Sequence, residues 1–171
     1  MELHPTEFHF PSFLQGVAEI CRIKAEQKGI DFFYETDGDI PAGISADSKR
    51  LRQVLINLLS NAIKFTDEGS VKFIVKTQPV DDSEEDISKI YRTRFQISDT
   101  GVGMTANQVE KIFLPFEQVG DAQKQYEGTG LGLAITHNIV AMMDSTLEVQ
   151  SEPGQGSLFW FDSELRSSAD W

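Results

Sequence analysis

The chain has 171 residues, a formal net charge of −12 and a single cysteine, Cys21. That length suits one domain with a real core. The acidity excludes a nucleic-acid backbone or an anionic membrane surface as main partner, and one cysteine excludes an internal disulfide or a cysteine-rich zinc site.

No apolar run approaches the roughly 20 residues that span a bilayer. The opening "MELHPTEFHFPSF" lacks the basic and apolar regions of a signal peptide. It reads as an extended lead-in. "FLQGVAEICRIKAEQKG" then places Phe13, Val17, Ile20 and Ile23 at helical spacing, with Gly29 as a stop and Cys21 in the core. "IDFFYET" is a strand and "DGDIPAG" a turn, and the pattern counts a strand pair here. Asp47 is the N-cap of a long helix, "SKRLRQVLINLLSNAIKF", that stops around "DEG". "SVKFIVKTQ" and "YRTRFQISD" are partner strands. The acidic "PVDDSEEDISK" between them is a solvated hairpin loop. A short helix over "ANQVEKIF", a polar run "GDAQKQYEG" and a helix from Leu131 to Met143 follow. "STLEVQSE", "PGQG" and "SLFWFDSEL" form a closing β-hairpin. Hairpin-connected strands outnumber strand–helix alternations. This predicts an α/β two-layer sandwich, with a mixed, mostly antiparallel sheet covered on one face by helices.

The long helix carries a polar stripe. At about 100° per residue, Gln53, Asn61 and Lys64 fall within ~40° of Asn57. Leu51, Val54, Leu55, Leu58, Ala62 and Phe65 form a separate apolar stripe. Asn lowers helix propensity and is costly to bury without partners. The stripe therefore faces bulk water or lines a polar cavity. In a cavity, amide oxygens would suit a hard cation and Lys64 would suit phosphate.

Two glycine segments follow. "ISDTGVGM" ends a strand at Asp99 and continues through Gly101, Gly103 and Met104. It reads as a plain turn or as a close approach to a ligand, with Asp99 accepting from an amino group. "GTGLGL" opens a helix, where free N–H groups and the helix dipole favour an anion. Its spacing fits neither the dinucleotide fingerprint nor the lysine-bearing phosphate loop. Between the two, Phe113 and Phe116 anchor a long polar run, as a hinged lid or an ordinary connection would.

The ordered set "NLLSNAIKFT", "DTGVGM", "IFLPFEQ" and "GTGLGL" closely resembles the catalytic, ATP-binding domain of sensor histidine kinases. The resemblance spans nearly the whole chain and implies the Bergerat fold. It implies that Asn61 coordinates Mg²⁺ on the ATP phosphates, with Asn57 beside it, and that Lys64 contacts phosphate. Asp99 would bind the adenine amino group, with Gly101, Gly103 and Met104 against the base. Phe113 and Phe116 would anchor the lid, and Lys124 and Tyr126 would lie near the terminal phosphate. Gly128, Thr129, Gly130, Leu131, Gly132 and Leu133 would form the phosphate-side loop. Related ATPases carry a water-activating Glu where this chain has Asn57. Asn cannot act as a general base, so transfer to a histidine is expected over hydrolysis.

The resemblance divides the chain into a lead-in (1–10), a catalytic domain (11–165) and a tail (166–171). The usual acceptor segment is missing, so the chain is expected to bind ATP alone without autophosphorylating alone. His4 and His9 lie in the lead-in and His137 inside a helix, poor places for an acceptor. The implied partners are a dimerisation and histidine-phosphotransfer segment and a downstream receiver domain. The implied location is cytoplasmic and the isolated domain monomeric. A regulatory module without transfer activity and a stand-alone ATPase remain the alternatives. Asp144 and Ser145 replace a usual Gly-Gly pair, a change Asp tolerates in a left-handed turn. Glu127 replaces a frequent lid glycine, which would stiffen that segment.

Overall fold

A computed structural model of the chain describes residues 3–80, 90–111 and 129–168. The acidic loop reading over 81–89 and the lid reading over 112–128 lie outside these residues. The described elements are β1 (Thr6–His9), α1 (Phe10–Lys28), β2 (Asp31–Asp37), β3 (Gly43–Ala46) and α2 (Ser48–Lys64). After them come β4 (Ser70–Pro79), β5 (Ile90–Asp99), α3 (Ala106–Lys111), α4 (Thr129–Met142), β6 (Glu148–Glu152) and β7 (Gly156–Ser167).

The strands form one mixed sheet in the order β1-β3-β7-β5-β4-β2, with β6 on β7. Among the described strands only β2 pairs in parallel, with β4. The expected strand pair after α1 is therefore not a hairpin. Strands β2 and β3 lie far apart in the sheet, because β3 finds its partners in β1 and β7. The lead-in also contributes a strand, since β1 pairs with β3.

Local signals set the helix ends. His9 caps α1, its Nδ1 accepting the Ser12 N–H at 3.3 Å, and Pro11 sits in the first turn where its missing N–H is harmless. The helix begins earlier than Phe13 for that reason. Gly29 ends it at φ +84. Asp47 caps α2 by accepting the Arg50 N–H at 3.1 Å, and its second oxygen takes the His4 N–H at 2.7 Å. The far end of α2 is held from α1. Lys28 Nζ donates to the Ile63 and Lys64 carbonyls, both at 2.7 Å, which is where a cation best meets a helix dipole.

The helices cover one face of the sheet. Alternate strand residues Val71, Phe73, Val75, Phe95, Ile97, Phe159 and Phe161 are buried beneath Leu14, Val17, Leu51, Leu55, Leu58 and Leu59. Phe10 meets Phe95 edge-on at 6.4 Å, and Phe95 stacks on Phe161 at 5.0 Å. Cys21 is fully buried, and burial pushes its thiol up to about 11 against a smaller opposing pull from Lys24. The opposite face presents charge. Arg94 bonds Asp162 through two nitrogens, at 2.7 and 3.0 Å. No described helix is long and apolar enough to cross a membrane.

The buried face contains one uneven row. Thr77, Thr93 and Ser163 pair across β4, β5 and β7, and all three are buried. Thr77 donates to the Asp39 carbonyl at 2.7 Å. The Thr93 hydroxyl has no hydrogen-bond partner among the described residues. An orphaned buried hydroxyl costs stability, and an apolar group of the same shape removes that cost. Thr93→Val should therefore raise the urea midpoint, by about 1 kcal/mol of stability; a lower midpoint would show that the hydroxyl is satisfied.

Candidate functional site

The polar stripe of α2 ends against another helix. Gln53, Asn57 and Asn61 are half-buried and Lys64 is exposed. Asn57 Nδ2 donates to Thr136 Oγ1 of α4 at 3.4 Å. The Asn61 side-chain amide has no hydrogen-bond partner among the described residues. Its oxygen is thus left to a ligand or water. The Lys64 ammonium lies 5.7 Å from the Phe65 ring centroid.

Immediately after this stripe, α2 meets the first glycine segment. Phe65 is the C-cap of α2, and its N–H returns to the Asn61 carbonyl at 3.0 Å. The Phe65 carbonyl accepts the Val102 N–H at 3.4 Å. A Cβ at position 101 would collide with that same carbonyl. Gly103 has φ +69, and a Cβ there would collide with the Glu152 carbonyl. On the other side, the Gly154 N–H donates to the Val102 carbonyl at 2.8 Å. The loop is therefore wedged between the end of α2 and the β6–β7 turn. Asn61 lies one helical turn, roughly 6 Å, from that wedge.

Asp99 stands where β5 enters the loop. Its Oδ1 accepts the Gly101 N–H at 2.9 Å, and the Ser157 N–H also reaches the carboxylate. Burial raises its pKa above the usual carboxylate value, against the pull of those two N–H groups. Asp99 borders an open groove of about 770 Å³, lined also by Val109, Val149, Ser151 and Ser157. Met104 packs against the core, and its N–H donates to Ser151 Oγ at 2.8 Å.

The second glycine segment differs from expectation. Helix α4 starts at Thr129, so Gly130 and Gly132 sit in its first turn and not in a loop. Leu133 is 5% exposed and belongs to the core. The other end of α4 agrees with the sequence reading. Asp144 takes φ +58, and the N–H groups of Asp144 and Ser145 close on the Ala141 and Val140 carbonyls at 3.1 Å. Phe113, Phe116, Lys124, Tyr126, Glu127 and Gly128 lie outside the described residues.

Comparison with known proteins decides the family. Residues 46–167 match the family described as histidine kinase-, DNA gyrase B- and HSP90-like ATPases. The chain belongs to this family. It is a histidine kinase catalytic domain, and its relatives say the same. The peroxide stress-activated histidine kinase mak2 of Schizosaccharomyces pombe is 36% identical over 98% of this chain, which spans 7% of mak2. Full-length ShkA, solved in complex with AMPPNP, superposes with a TM-score of 0.76 at 32% identity, covering 98% of this chain and 32% of ShkA. The nucleotide-free catalytic domain of the histidine kinase ThkA gives 0.69 at 29% identity, covering 94% of this chain and 97% of that one.

Within this kinase domain, sequence reading missed Thr136, Ser151 and Ser157. Thr136 lies on a helix already read as apolar, and only the packing of α4 on α2 makes its hydroxyl useful. Ser151 and Ser157 were accessible, since they pair directly across the "PGQG" turn. The raised pKa of Asp99 has a stability consequence. The folded chain holds the Asp99 proton more tightly than the unfolded chain, so that proton favours folding most below the unfolded value, about 4. It is lost as pH rises through the higher folded value. Asp99→Asn should therefore unfold at higher urea than wild type at neutral pH, with the gap closing towards about pH 4. A gap that widens on acidification would contradict the assignment.

Proposed function

We propose that this domain binds Mg²⁺-ATP and transfers the γ-phosphate to a histidine on a separate dimerisation segment. One observation carries the reading: Phe65 joins the end of the Asn-bearing helix to the loop that follows Asp99. An adenine site and a phosphate site then lie at opposite ends of a short, rigid junction. The Asp99 carboxylate is held by two N–H groups, and its remaining lone pairs suit the adenine amino group. Gly101 and Gly103 let the loop close on the Phe65 and Glu152 carbonyls, which leaves Met104 for the edge of the base.

Asn61 suits Mg²⁺. A hard cation that keeps most of its waters needs few protein oxygens besides phosphate. The unpartnered Asn61 amide supplies one, with Asn57 nearby, and the described residues hold no cluster of His, Cys, Asp and Glu that would make a full protein cage. The ion, when bound, would offset phosphate charge. Lys64 adds a point charge, and the first-turn N–H groups of α4, from Thr129 to Gly132, lack helical acceptors and suit phosphate oxygens. The resemblance assigns Phe116, Lys124, Tyr126 and Gly128 to the same nucleotide site.

The acceptor is assigned to another segment. His4 precedes β1, His9 closes it and His137 lies inside α4, none of them on a separate helix that could be presented to the nucleotide. Asn57 cannot deprotonate water, whereas a positioned imidazole needs no such help. Catalysis is then mostly positioning and charge neutralisation. The assignment extends to a downstream receiver domain and to a cytoplasmic setting, with the isolated domain monomeric.

The deciding experiment supplies a matching dimerisation and phosphotransfer segment and measures acid-labile phosphate. Transfer supports the reading; ATP binding without transfer points to a regulatory module. By calorimetry, Asp99→Ala should weaken ADP binding by roughly 100-fold, the scale of a charged hydrogen bond lost from a buried site. Unchanged affinity would sink the adenine assignment. Asn61→Ala should bind nucleotide with little Mg²⁺ dependence, and a variant that keeps the full dependence would remove its metal role.

A further inference from the structure

Ser151 has no part in the reading above, yet its hydroxyl has three partners. It accepts the Met104 N–H at 2.8 Å, donates to the Gly156 carbonyl at 3.0 Å and meets Ser157 Oγ at 2.7 Å. A hydroxyl has one proton to give. Ser151 gives it to Gly156, whose carbonyl has none to return. Ser157 is therefore the donor in the bond between the two serines. Its proton points at Ser151, and only lone pairs remain for any other partner.

Ser157 sits directly opposite Asp99 in the β5–β7 ladder. Directly paired side chains leave a sheet on the same face. Both residues line the same groove as Ser151. Asp99 and Ser157 together then form a wall of acceptors.

We infer that Ser151 is a positioning residue for base selection: it fixes the Ser157 hydroxyl as an acceptor, so the site takes an amino-bearing purine over an oxo-bearing one. The inference rests on the nucleotide-pocket reading. An exocyclic amine brings two N–H donors to two acceptors. A 6-oxo group brings lone pairs against them, and a repulsive contact of this kind is how a site rejects a close analogue. Without the Ser151 hydroxyl, Ser157 rotates and donates to the oxo group.

The test titrates ADP and GDP calorimetrically into the wild-type chain and its variants, at mildly alkaline pH where carboxyl groups are ionised. Wild type should favour ADP by at least about 100-fold. Ser151→Ala should cut that ratio by about 10-fold, mainly through tighter GDP binding, since one reoriented hydrogen bond is worth on the order of a decade. Ser151→Thr, which keeps the hydroxyl, should restore the ratio. Ser157→Ala should lower the ratio as well, and the double variant should add nothing further because both act through one group. A Ser151→Ala chain with the wild-type ratio overturns the inference, even if its melting temperature falls. Should that variant not fold, an unchanged ratio in Ser157→Ala overturns it equally. A wild type that binds neither nucleotide overturns the pocket reading itself, and this inference with it.

Discussion

The Phe65 carbonyl is the contact on which the site depends. It is one of the last carbonyls of α2, with no helical donor of its own, and it takes the Val102 N–H. The approach is so close that residue 101 has no room for a Cβ. A helix end that needs a donor and a loop that needs a fixed position thus satisfy each other. Lys28 secures the same helix end from α1 by taking the two preceding carbonyls. The Gly154 N–H secures the loop from the far side. Hydrogen bonds on both sides of the loop thus tie the position of Asp99 to the end of α2.

Polarity inside this junction costs stability and is placed with care. Asp99 is a carboxylate held partly out of water, and the raised pKa is the measure of that cost. Two backbone N–H groups offset part of it. The neighbouring serines satisfy one another, so the hydroxyls beside Asp99 add no orphan of their own. Thr93, deeper in the sheet, is left without a partner among the described residues. The serine pair is satisfied and Thr93 is not, so the cost of an unmade hydrogen bond falls on Thr93. The acidity of the chain, −12 overall, does not oppose a phosphate ligand, because backbone N–H groups act locally.

Much of the architecture was legible in the residues. Gly29, Asp47 and Asp144 each announce a helix terminus by their own conformational chemistry, and each does so in the structure. The alternation in "SVKFIVKTQ" and "YRTRFQISD" fixes which face of the central hairpin is buried. The stripe of Asn57 and Asn61 was legible as an anomaly, since amides on a mostly apolar helix need a reason. Strand β1 was not legible, because a four-residue strand carries little pattern of its own and exists only where β3 offers an edge. The start of α4 was misplaced for a related reason. Glycines discourage helix locally, and the packing of α4 on α2 overrides them.

By itself the sequence determined the helix ends, the buried faces and the residue types of the four motif segments. These follow from short-range preferences and from hydrophobic period. It also determined the family, since those segments occur in an order that unrelated chains do not reproduce. The tertiary structure alone decided that Gly101 is needed for the Phe65 carbonyl, that Asn57 reaches Thr136, and that Ser151 and Ser157 stand beside Asp99. Each of these joins residues from different elements. Short-range preference cannot specify such a contact, because it exists only once the sheet has brought distant segments into register.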